Sequence, residues 1–99
     1  MNQRPIPDAA MRDQNSVELA RIWIAERGLH CSLKVGMYRE MDIHEERAWG
    51  ILLADISRHV ANAFSSEFGA DVATTLEVIR QSYLEELARP TSLAKGKFL

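Results

Sequence analysis

Between residues 42 and 89 the chain carries two helical periods with only Phe68-Gly69-Ala70 between them. A connection this short makes consecutive helices antiparallel neighbours, and the rest of the fold is read around that pair. The first helix is expected over residues 42–68. Asp42 is placed to cap it, and Glu45, three positions on, completes a capping-box pattern. On a helical wheel Ala48, Leu52, Ala63, Ile56, Trp49, Val60, Leu53 and Phe64 fill one arc, while Arg47, Arg58, Ala61 and Ser65 lie opposite. Gly69 is a natural stop. Gly50 falls inside the helix and off the apolar arc, where it costs about 1 kcal/mol relative to Ala. It marks either a close approach by another segment or nothing. The second helix is expected over residues 71–89, capped by Asp71 and ended by Pro90. Its apolar arc is Ile79, Val72, Tyr83, Leu76, Leu87, Ala73 and Leu84.

Ahead of the helices, residues 17–37 read as a β-hairpin. Leu29, Cys31, Leu33 and Val35 alternate with His30, Ser32, Lys34 and Gly36, the period-two signature of a strand. A three-residue turn, Glu26-Arg27-Gly28 with Gly28 left-handed, would set Trp23 opposite Cys31, Arg21 opposite Leu33 and Leu19 opposite Val35. A two-residue turn at Arg27-Gly28 would instead bring Ile22 and Ile24 onto the face of Leu29 and Cys31. A helix from Ser16 to Arg27 is the rival reading, since Leu19, Ile22 and Trp23 fit helical spacing. Residues 1–15 hold two prolines and no period, and are expected to form an irregular arm. Residues 91–99 read as a tail, which leaves residues 16–90 as a single domain.

The expected class is α+β: an N-terminal β-hairpin followed by two antiparallel helices packed on one sheet face, ββαα. A chain of 99 residues suits one core without metal or disulfide support. The single cysteine, Cys31, allows no intrachain disulfide and suits a reducing cytoplasm. No charged segment leads into an apolar run at the N-terminus, and no apolar stretch reaches the ~18 residues of a membrane span. Charge argues against a nucleic-acid partner: residues 42–68 sum to −3 and residues 71–89 to −2, whereas such binders carry a basic stripe.

Chemistry-bearing motifs are sparse. "HEERA" at 44–48 starts like a zinc-binding helix but has Ala48 where a second histidine is needed. His30 and Cys31 are adjacent in a strand and point to opposite faces, and His44 and His59 are too far apart to share an ion. No metal or cofactor is therefore expected. Cys31 reads as a small packed residue, no GxSxG, P-loop or GxGxxG pattern occurs, and the glycines at 28, 36, 50, 69 and 96 are isolated. The candidate cluster is Asp55, His59, Arg80 and Tyr83. His59 sits at the margin of the first helix's arc with Asp55 one turn earlier, where a carboxylate can accept from the imidazole. Counting outward from the turn puts His59 level with Ile79, Arg80 and Tyr83. The four residues form either a buried hydrogen-bond network or a pocket for a small anion with Arg80 as its charge.

The segments "ARIWIAERGLHCSLKVG" and "AWGILLADISRHVANAF" together resemble an uncharacterised bacterial family of short proteins known only as a domain of unknown function. The likeness covers residues 17 to about 90. It implies a bacterial cytoplasmic protein without assigned activity and transfers no catalytic residue. An isolated hairpin leaves two open edges, and Ala20, Ile22 and Ile24 make its second face apolar. The expected function is therefore a non-enzymatic interaction or structural module, a homodimer through the hairpin with no nucleic-acid or membrane partner. The alternative is a small-anion or small-molecule site, with or without catalysis, around His59 and Arg80.

Overall fold

The computed structural model describes residues 2–38 and 44–98. Its elements in order are α1 (Asp8–Arg12), β1 (Ala20–Ala25), β2 (Gly28–Leu33), α2 (Glu45–Phe68), α3 (Val72–Ala88) and β3 (Ala94–Phe98). The class is α+β, with the hairpin first and the long helices after it. The chain divides into two compact units, Met1–Val35 with Ala94–Leu99, and Gly36–Leu93.

In the first unit β1 and β2 are antiparallel, with Ala25 opposite Gly28, Trp23 opposite His30 and Ile22 opposite Cys31. This excludes the helical reading of residues 16–27. It also corrects the three-residue turn. The loop is Glu26-Arg27, both at positive φ (50° and 62°), while Gly28 is the first residue of β2. Two loop residues at positive φ give the twist that flanking strands need. Neither is glycine or asparagine, so the usual sequence signal for such a turn is missing. The observed pairing puts Ala20, Ile22 and Ile24 on one face with Leu29, Cys31 and Leu33, and Arg21 and Trp23 on the other with His30 and Ser32.

The C-terminal residues form a third strand. β3 runs parallel to β2, in the order β1-β2-β3, with Gly96 beside Cys31. A parallel neighbour requires a long crossover connection, and α2 and α3 lie in that connection. Gly96 has φ 138°, and a Cβ there would collide with the Cys31 carbonyl, so only glycine lets β3 lie this close. The arm before β1 holds one helical turn, α1, whose Ala10 carbonyl accepts from Ser16 Oγ at 2.8 Å.

In the second unit, α2 ends where the sequence says it should. Gly69 is left-handed (φ 70°), and its N–H donates to the Ser65 carbonyl at 2.9 Å. Asp71 caps α3 by accepting from Thr74 N–H at 3.0 Å and from Thr74 Oγ1 at 2.8 Å. The capping-box expectation at the start of α2 falls on Asp42. His44 occupies the cap position and makes no side-chain cap bond, and Asp42 lies outside the described residues.

Candidate functional site: a groove between the two helices

Gly50, Ala54, Ser57, Ala61 and Ser65 recur at helical spacing along one side of α2. Ala61 is 0% exposed, and Ser57 and Ser65 are half-buried. The wheel had put Ala61 and Ser65 opposite the core, and the structure reverses this. How closely two helices approach is set by the side chains between them. Small residues permit the closest contact, and the covered part of this stripe is Ser57, Ala61 and Ser65, while Gly50 and Ala54 are exposed.

Toward the open end of the helical hairpin lies a groove of about 390 Å³, lined by Leu53, Ile56, Ser57 and Arg58 of α2 and Leu76, Ile79, Arg80 and Tyr83 of α3, with Gly50 and Ala54. A Cβ added to Gly50 would meet nothing within 4 Å, so this glycine marks open space and not a close approach. Two of the four residues of the candidate cluster, Arg80 and Tyr83, are brought together here. The other two stand apart. Asp55 is ion-paired with Arg58 instead of His59. His59 is exposed and, among the described residues, makes no side-chain hydrogen bond. Arg80 Nη1 donates to Glu77 Oε1 of its own helix at 3.1 Å. Both guanidiniums at the groove are thus partly neutralised by a carboxylate one turn away.

The large apolar side chains of the helices are the less covered ones. Leu53, Ile56, Val60 and Phe64 on α2, and Tyr83, Leu84 and Leu87 on α3, are between 38% and 64% exposed. Among the described residues only Ala48 and Ala61 are fully buried apolar residues. A two-helix layer has one internal seam, and a second apolar stripe on either helix needs a further layer to cover it.

One group whose further partners sequence reasoning missed is Glu45. It accepts from Gly36 N–H at 2.8 Å, Tyr38 N–H at 3.1 Å and Trp49 Nε1 at 3.2 Å. It therefore ties the segment entering the helical unit to the first turns of α2. The only signal in the sequence was Trp49 four residues after Glu45, a spacing that puts both on one side of a helix. Two exposed carboxylates are held below their ordinary pKa. For Asp71 the cause is the Thr74 hydroxyl and then the Thr74 N–H. For Glu86 it is the Thr91 N–H and then its hydroxyl.

In the sheet unit a larger depression, about 740 Å³, lies between the arm and β1, lined by Ile6, Met11, Val17, Ile22 and Trp23 among others. Its Arg21 is paired with Glu18 at 2.7 Å. Among the described residues no group of three or more potential ligands could hold a metal ion, and no helix is long and apolar enough to cross a membrane.

A family model described as "Domain of unknown function (DUF5076)" matches residues 3–91. The chain belongs to the DUF5076 family. The match extends the earlier resemblance through the arm and up to the last turn before β3. Among curated proteins, none matches this DUF5076 chain. It is similar to a solved structure from the photosynthetic bacterium Rhodopseudomonas palustrus CGA009, named provisionally as a pyruvate dehydrogenase. The two are 27% identical with a TM-score of 0.68, over 96% of this chain and 92% of that one.

Proposed function

We propose that this DUF5076 chain is a non-enzymatic interaction module that acts as a homodimer in the cytoplasm. The observation that carries this is the half-exposed apolar stripe shared by α2 and α3. Half-covering two aromatic rings and five aliphatic side chains leaves about 500 Å² of apolar surface per chain. Paired with itself, that surface gives about 1,000 Å², the lower bound for a specific interface. The single cysteine suits a reducing compartment, and the structural neighbour is bacterial. Sedimentation equilibrium at micromolar concentration is the test. A species of twice the 11.2 kDa chain mass is expected, and a chain that stays at 11.2 kDa ends this reading.

A second reading keeps the groove as a small-anion site, favoured by Arg80 and Tyr83 lining one depression within the usual range of ligand pockets, about 300–1,000 Å³. Pyruvate, in the neighbour's provisional name, belongs to that ligand class. Against it stand the carboxylate partners of Arg58 and Arg80, which take up much of the positive charge an anion would need. Titration calorimetry with pyruvate and with phosphate tests it. Heat that is saturable and lost in Arg80→Gln supports an anion site, and no heat at millimolar ligand removes it.

A further inference from the structure

We infer that the α2–α3 groove is filled by the same two helices of a second copy of this chain, making an isologous dimer with a four-helix core. This assignment depends on the homodimer reading and says which surface carries it.

The apolar surface comes first. Ile56, at 53% exposed, and Tyr83, at 50%, both line the groove, and Leu87, 64% exposed, lies one turn beyond Tyr83 on the same side of α3. Depression and apolar stripe therefore sit together. A partner helix can set its large side chains into the space between α2 and α3, as ridges enter grooves in helical bundles.

The charges at the groove select the partner. On α2, Arg58 is paired with Asp55, and on α3, Arg80 with Glu77. Each helix thus brings an arginine to the groove with a carboxylate partner three residues away on the same helix. A peptide of single sign would meet a like charge on both helices. A two-fold mate presents the same mixed set, so each guanidinium can find a carboxylate across the interface.

The strand edges, the other route to a dimer, are guarded. Among the described residues β3 is an edge strand of the sheet and carries Lys95 and Lys97, and lysine on an edge strand opposes strand addition. At the opposite edge, β1 shares its depression with Pro5, Ile6 and Pro7 of the arm, and proline offers no N–H for a new ladder. With both edges guarded, we assign the meeting of two copies to the helical face, where the apolar stripe and the groove coincide.

The test uses the full chain and three single variants, Ile56→Glu, Leu87→Glu and Ile24→Glu. Ile24 is 78% exposed on the sheet and serves as the control. All three side chains are more than half exposed in one chain, so the helix content of each variant, read by circular dichroism, is expected to match the parent. The dimer dissociation constant, from sedimentation equilibrium, should rise roughly a hundredfold in Ile56→Glu and in Leu87→Glu, the scale of a disrupted hot spot. In Ile24→Glu it should stay within about threefold, as for a residue outside the interface. A dimer that persists in both helix variants but is lost in Ile24→Glu overturns the assignment and leaves the homodimer reading standing. A parent chain that is monomeric throughout overturns both.

Discussion

The two sides of α2 divide the work in an unexpected way. One side, Gly50, Ala54, Ser57, Ala61 and Ser65, is small and weakly apolar, and it includes Ala61, which has no exposure at all. The other, with Ile56, Val60 and Phe64, is large and apolar and stays between 38% and 53% exposed. Hydrophobicity alone would predict the reverse. The difference shows that coverage within the chain follows side-chain size here: small residues at Ser57, Ala61 and Ser65 are enclosed, while the larger ones at and beside the groove stay half-exposed.

The most damaging way to break the contrast is to enlarge the small side. Ala61→Leu should cost about 3 kcal/mol, because a fully enclosed methyl site cannot take three more carbons without separating α2 from α3. Urea denaturation of the two proteins measures it, and a loss below the noise of the fit would mean that the seam is elsewhere. Trp49→Ala comes next. Trp49 is half-buried and its indole N–H is held by Glu45, so the expected cost is about 2 kcal/mol, less than for a fully buried tryptophan. A midpoint shift equal to that of a fully buried ring would show that a further surface covers Trp49 in solution. Gly50→Ala sharpens the comparison with the opposite sign. The position is helical and open, so alanine should stabilise by about 0.5–1 kcal/mol. With the measurement made on the dissociated chain, destabilisation would mean that the groove is closed at Gly50 within one chain.

The smallest effect is one of pH. Thr74 holds the Asp71 carboxylate below its ordinary pKa in the folded state. A lowered folded value means that the charged form is favoured by folding. The contribution is therefore fully present above the ordinary aspartate value and is lost as pH falls through the folded value. Asn caps helices too but does not titrate, so Asp71→Asn should flatten this part of the acid limb in thermal melts. An unchanged acid limb would assign the pH response to other carboxylates, Glu86 among them.

Much of the helical unit was legible in the sequence. Gly69, Asp71 and Pro90 set the ends of α2 and α3 through local chemistry that needs no partner. Alternation over Leu29–Leu33 gave β2. The turn did not read correctly, because Glu26 and Arg27 adopt positive φ without the residues that advertise it. β3 did not read at all. "AKGKF" has little apolar alternation, and its strand exists only because Gly96 can lie against Cys31, a contact with a segment more than sixty residues away. For the site, Arg80 and Tyr83 line the inter-helix groove. Asp55 and His59 were drawn from the margin of the large apolar arc, and both are exposed on α2, outside the groove that Leu53 and Ile56 of that arc line.

The central claim is that two copies meet through the large side of α2 and its continuation on α3. Isotope-filtered NOE spectroscopy on an equal mixture of carbon-13-labelled and unlabelled chains tests it most directly, since such spectra record contacts between copies alone. The account predicts intermolecular contacts from the methyls of Ile56 and Val60 to the ring of Tyr83 and the methyls of Leu84 and Leu87. Intermolecular contacts confined to Ile22, Ile24 and Phe98 of the sheet, or none at all, would contradict it.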